Sequence, residues 1–266
     1  MTSPWVASFL AIFAWWFSTG VILMVVRRAD RQGTHGMTVF VALPMLVLGA
    51  WAVQASLHDL SALGAYLGFA GALAVWGWVE LAFLAGVITG PSREPCPPDA
   101  RGRDRFFRAF QTVAYHELML TLGLWGLVVA SDGAENRIAL ATYLVLFLAR
   151  ILAKLNLFFG VPRINLEFVP ARLLHLKSYF RQAPVTLAFP AAITVLTALL
   201  AVCAERLWGA QSDVTLVGFA LLTALAALAL LEHWLMVVPL PDAKLWRWML
   251  PVPKTMTQEE RQTDGL

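Results

Sequence analysis

Charge is scarce in this chain. Only 14% of its 266 residues are Asp, Glu, Lys or Arg, against 59% hydrophobic residues, a mean hydropathy of +0.68 and a formal net charge of +3. That balance excludes an ordinary soluble globular domain. Cysteine is nearly absent: Cys96 falls in a proline-rich loop and Cys203 in an apolar run, places with no reason to meet and no metal-ligand spacing, so no disulfide is expected. Short segments of alternating polarity are missing, which argues against a transmembrane β-barrel. No internal repeat supports an inverted-repeat transporter. The basic loops are short and hold no nucleic-acid module or basic-aromatic platform, so nucleic acid is not an expected partner.

What is present is a series of long apolar runs. Seven stretches, at 5–26, 37–57, 62–89, 109–130, 138–159, 185–207 and 214–238, are each long enough at 1.5 Å per residue to cross a hydrocarbon core of roughly 30 Å. The expected fold is an all-α, polytopic membrane helical bundle of about seven transmembrane helices in contact with lipid, spanning 1–240, with a tail at 241–266. Nothing basic precedes the first run, and Arg27, Arg28 and Arg31 follow it as a stop-transfer flank, so it is read as a retained span rather than a signal peptide.

Arginine and lysine gather in alternate connections: Arg27, Arg28 and Arg31; Arg93 to Arg108; Arg163 to Arg181; and the tail with Lys244, Arg247, Lys254 and Arg261. The connections between them are nearly bare of cations. The positive-inside rule therefore puts the N-terminus on the periplasmic side and the C-terminus in the cytoplasm. Loop 90–108 and a longer connection at 160–184 then face the cytoplasm, while Trp246 and Trp248 mark an interfacial tail segment. His35 and His58 fall in opposite loops and are read as solvated.

Against this background QTVAYHELMLTLGLWG, residues 111–126, stands out. His116 and Glu117 sit side by side inside an apolar run, where an ionisable group costs about 2.5 kcal/mol or more unless something offsets it. The offset is sought in other spans. Glu80, Arg150, Lys154, Glu232 and His233 all fall about 9 to 15 Å below the same membrane face, counting 1.5 Å per residue from the cytoplasmic ends. In the third span Gly64, Gly68, Ala72 and Trp76 precede Glu80 at four-residue spacing, a mostly small row that lets a neighbouring helix approach and turns the carboxylate toward it. Asn156 adds a polar group nearby. The connection NLFFGVPRINLEFVPARLLHLKSYF, broken by Gly160, Pro162 and Pro170, is read as a cap folded onto the cluster that contributes Arg163, Asn165, Glu167 and His175.

Three uses of this inventory stay open. One is a buried ion-pair and hydrogen-bond network around Arg150 and Lys154, which share a helix face at i, i+4. A second is a centre for iron, manganese or zinc built from Glu80, His116, Glu117, Glu167, His175, Glu232 and His233. The contiguous His-Glu and Glu-His pairs depart from the Glu-x-x-His spacing of di-iron bundles, so one member of each pair would ligate and the other support it. The third makes a histidine the axial ligand of a tetrapyrrole.

The 160–184 connection also resembles a known family. Gly160, Val161, Pro162, Asn165, Glu167, Phe168, Pro170, Leu173 and Ser178-Tyr179-Phe180, flanked by Lys154-Leu155-Asn156, are similar to the PuhE-type family, the photosynthetic complex assembly protein 2 group of anoxygenic phototrophic bacteria. Arg163 stands where asparagine is usual. The resemblance implies a multi-pass protein of the bacterial inner (intracytoplasmic) membrane that assists assembly of the reaction centre and core antenna, or the supply of their bacteriochlorophyll, with those subunits and pigments as partners. It brings no catalytic residues with it. The alternatives are a membrane-embedded, metal-dependent enzyme acting on a tetrapyrrole, quinone or isoprenoid, and a proton-coupled transporter.

Overall fold

The computed structural model describes residues 2–240. The tail at 241–266, including Lys244, Trp246, Arg247 and Trp248, lies outside the described residues. Within them the chain forms helices α1 (Pro4–Gln32), α2 (His35–Val41), α3 (Leu43–Ser56), α4 (Ala62–Leu84), α5 (Gly102–Ala130), α6 (Ile138–Phe159), α7 (Ala188–Trp208) and α8 (Asp213–Leu235), with two 3-10 turns at Leu166–Phe168 and Ala171–Tyr179. No strand occurs among the described residues; Val161 and Gln182 form an isolated bridge. Among the described residues seven segments are long and apolar enough to cross a membrane, α2 and α3 together making one of them. Both cysteines are free.

The helix ends differ from the hydropathy boundaries for local reasons. Pro44, in the first turn of α3, has no N–H to give the preceding turn, so the second crossing breaks at Ala42 and restarts. His35 is not a solvated loop residue: it opens α2, is only 7% exposed, and its Nε2 lies 2.9 Å from the Asp30 carboxylate at the end of α1. The turn at Gly33 and Thr34 folds α2 back against α1 and creates that pair, which hydropathy does not register. Helix α4 stops at Leu84, short of the expected 89. Helix α5 reaches back to Gly102, so the loop expected at 90–108 ends at 101. Arg103, Asp104, Arg105 and Arg108 lower the hydropathy of that first stretch without interrupting its helix.

Helices α4 and α8 are the interior of the bundle, with 56% of each apolar window buried. The small residues of α4 are what bring its neighbours close. Gly71 meets Gly49 and Val53 of α3 backbone to backbone: a Cβ there would sit 2.8 Å from the Gly49 carbonyl oxygen and from the Val53 nitrogen. On another side, Gly68 lies against Ala139 at the start of α6, and Trp76 packs edge-on against Tyr143 at 5.1 Å. The row expected from the sequence thus runs along α6, and Glu80 comes next on it. Large apolar side chains such as Phe9, Trp51, Leu63 and Trp125 face outward, as lipid contact requires.

The long connection folds over the end of the bundle where α4 and α6 stop. Asp30 accepts from the Ala171 N–H at 3.3 Å, Arg27 donates to the Glu167 carbonyl at 3.2 Å, and Leu173 and Leu176 bury against Phe83. These contacts give the cap a fixed seat.

The Gly71 contact is directly testable. Gly71→Ala is expected to lower the unfolding midpoint of detergent-purified protein, by about 1 to 3 kcal/mol of overpacking. Gly126→Ala, where an added Cβ meets nothing within 4 Å, should leave the midpoint level or raise it. Equal effects of the two changes would contradict the close α3 and α4 approach.

Candidate functional site

Helix α6 supplies the organising side chains. Arg150 and Lys154, one turn apart on the same face, point between α4 and α5. The Arg150 guanidinium donates to Glu80 Oε2 at 2.8 Å. The Lys154 ammonium donates both to His116 Nδ1, at 3.0 Å, and to Glu117 Oε1 in a close contact. Adjacent helical residues point about 100° apart, yet one long, flexible cation reaches both members of the pair. Its bond to Nδ1 needs a lone pair there, which leaves the ring proton on Nε2. That Nε2 faces Glu80 Oε1 at 3.6 Å, and neither atom has a hydrogen-bond partner among the described residues.

An aromatic ring closes the cluster. Phe83, one turn after Glu80, stacks on the His116 imidazole with centroids 4.1 Å apart and planes 27° from parallel. The Lys154 nitrogen and the Arg150 guanidinium carbon lie 5.6 and 5.8 Å from the centre of the same ring, within reach of its quadrupole. His116 is wholly buried and Glu80 is 8% exposed.

The backbone is also unusual here. The Thr89 carbonyl, in the segment following α4, accepts from the His116 N–H at 2.9 Å, and the Ser92 N–H donates to the Gln111 carbonyl at 3.3 Å. Segment 89–92 therefore docks onto the α5 backbone beside the histidine. It comes so close that a Cβ on Gly90 would collide with the Gln111 carbonyl.

Glu80 and Glu117 are matched by Arg150 and Lys154, and the imidazole joins as a neutral acceptor, so the cluster closes on itself electrically. Burying a charge alone would cost several kcal/mol, and a partner with good hydrogen-bond geometry offsets that cost.

The chain matches, over residues 1–257, the family described as "Protein of unknown function (DUF3623)". The chain belongs to the DUF3623 family. It is also 50% identical over 253 residues, 94% of this chain and 92% of the relative, to a Rhodobacter capsulatus protein described as "Uncharacterized 30.4 kDa protein in puhA 5'region". No solved structure matches it.

In this DUF3623 member most of the remaining polar residues named from the sequence lie apart from the closed cluster, whereas Glu232 stays within electrostatic reach of one of its members, Arg150. Asn156 is buried and donates to the Leu152 carbonyl at 3.0 Å; two positions beyond Lys154, it points to the other side of α6. Glu232 lies on an exposed face of α8, with Arg150 the cation that acts on it. His233, 1% exposed, turns the other way and its Nδ1 donates to the Ala229 carbonyl at 2.8 Å, leaving a buried Nε2 lone pair. Arg163 donates to the Val238 and Leu240 carbonyls, and Asn165 opens the turn at Leu166–Phe168. Glu167 gives its carbonyl to Arg27. His175 is half-buried in the cap, where burial first and the Arg93 charge second push its imidazole below the usual range. Phe83 and the Thr89 carbonyl escaped the sequence reading. The three-residue step from Glu80 marks Phe83 in hindsight, whereas nothing in a side-chain pattern marks a carbonyl.

These donors do not suit a metal ion. Among the described residues no group of three or more His, Cys, Asp or Glu is placed to hold one, and the Glu80, His116 and Glu117 donors that do converge already face a guanidinium and an ammonium. For a tetrapyrrole, His116 has one ring face covered by Phe83 and no accessible surface.

The pairing predicts its own energetics. Lys154→Met strands the Glu117 charge and should cost about 3 to 5 kcal/mol. Adding Glu117→Gln should recover most of it, giving strongly non-additive unfolding free energies for the purified protein. Additive losses would mean that the two side chains do not interact.

Proposed function

We propose that this DUF3623 member is a PuhE-type integral membrane factor for the assembly of bacterial photosynthetic complexes, working with reaction-centre and core-antenna subunits or their pigments. The observation that carries this reading is the 50% identity, over nearly the full length of both chains, to the Rhodobacter capsulatus protein of the puhA 5' region. A place beside puhA fits a photosynthetic role. Seven apolar crossings fit a protein that handles membrane-embedded subunits. On this reading it lies in the inner, intracytoplasmic membrane, with the N-terminus periplasmic and the basic loops and cap in the cytoplasm.

The buried cluster acts in this function as a latch. It fixes α4, α5 and α6 to one another, and through Phe83, Leu173 and Leu176 it holds the capped end in one shape. A rigid capped end with outward apolar helices is suited to hold a partner helix or pigment during assembly. An iron-type enzyme would need the carboxylates and imidazole that Arg150 and Lys154 engage.

The test combines genetics with purification. Loss of the gene is expected to lower reaction-centre and core-antenna absorption in the membrane, and the tagged protein should co-purify with those subunits or with bacteriochlorophyll. Glu117→Gln leaves the Lys154 ammonium unmatched and loosens the latch, so the amount of folded, inserted protein and the complex yield should fall together. Normal complex levels without the gene would contradict the proposal, and stoichiometric iron or manganese without co-purifying subunits would favour the enzyme.

A further inference from the structure

A second basic site lies away from the buried cluster. Where α5 begins, Ala100, Arg101, Gly102, Arg105, Phe180 and Arg181 line a cavity of about 390 Å³. Three of these six residues are arginines and none is acidic. The carboxylate nearest in sequence on α5, Asp104, is held by Arg108, whose Nε donates to both of its oxygens at 2.9 Å.

The cavity is organised before any anion arrives. The Arg105 guanidinium donates to the Phe158 carbonyl at 3.2 Å and to the Tyr179 carbonyl at 2.6 Å, and it lies 4.2 Å over the Phe158 ring. Arg181 is anchored by its backbone N–H, which donates to the Leu157 carbonyl at 2.9 Å. Neither the Arg101 nor the Arg181 side chain has a carboxylate partner among the described residues. Arg101 caps α5 without a side-chain hydrogen bond to its first turn, so backbone N–H groups and the positive end of the helix share this site.

Its surroundings identify the source of the anion. Phe106 follows Arg105 and packs edge-on against Phe158 at 5.6 Å. Phe106, Phe107 and Phe159 are 42%, 62% and 42% exposed. Exposed rings beside a fixed guanidinium and two further arginines, at the end of a membrane-crossing helix, are the setting of lipid headgroups. Guanidinium forks match phosphate oxygens. We propose that this cavity binds the phosphate of an anionic lipid headgroup, a role independent of the assembly function.

The test uses the full chain in detergent, delipidated and titrated with phosphatidylglycerol, phosphatidylcholine or inorganic phosphate, with bound species counted by native mass spectrometry. Phosphatidylglycerol should bind in preference to phosphatidylcholine. The exposed double change R101Q/R181Q should weaken it roughly tenfold or more. R103Q, on the same turn but outside the cavity, should not. Saturable inorganic phosphate lost in R101Q/R181Q, without phosphatidylglycerol preference, would retain the phosphate site but overturn the lipid assignment. Equal phosphatidylglycerol retention by wild type, R101Q/R181Q and R103Q, with no saturable phosphate, would overturn the site altogether.

Discussion

Lys154 is shared between an imidazole nitrogen and a carboxylate on the neighbouring helix, and much of the bundle's interior depends on that arrangement. A lone ammonium at this depth would be expelled toward water or deprotonated, and a lone glutamate would be protonated. Together, and with Arg150 on Glu80 one turn earlier, they form a set with no net charge, so the low dielectric that penalises each ion strengthens their mutual attraction. Stability is thereby tied to geometry, because removing one member leaves its partner buried and unmatched.

Packing around the cluster follows from the same constraint. Small residues on α4 let α3 and α6 come close enough for short side chains to meet. Gly90 lets the segment after α4 lie on the α5 backbone and give its Thr89 carbonyl to the His116 N–H. That segment holds histidine and helix together, and Phe83 covers the ring. The cap then seals the end through Leu173 and Leu176. Helix, loop and cap thus reinforce one another where the bundle would otherwise carry exposed charge.

Much of this was legible from spacing. Span count and helical class followed from run length and composition, and the four-residue row ending at Glu80 correctly turned that carboxylate toward a neighbouring helix. Shared depth grouped Glu80, His116, Glu117, Arg150, Lys154, Glu232 and His233, and the structure joins the first five of them directly. Depth alone does not fix azimuth. Asn156 lies at the same level but points away, and Glu232 and His233, adjacent in sequence, diverge around α8. The break at Pro44 and the burial of His35 arise from local chain geometry that hydropathy averages over. The charged first turns of α5 hid its true start for the same reason. A carbonyl such as that of Thr89 belongs to no residue type, so only the fold could reveal it.

The family relationship and the buried cluster are separate observations. One concerns the gene region of a relative 50% identical to this chain; the other concerns how three crossings are held. They meet in the idea of a rigid membrane scaffold, which needs internal polar contacts because lipid provides no hydrophobic force to press helices together. Nitrogen NMR of isotope-labelled protein examines the central contact most directly. The Lys154 contact requires the His116 ring to carry its proton on Nε2, with a hydrogen-bonded Nδ1 coupled to the Lys154 ammonium. A ring protonated on Nδ1, or one with no coupling to Lys154, would contradict it.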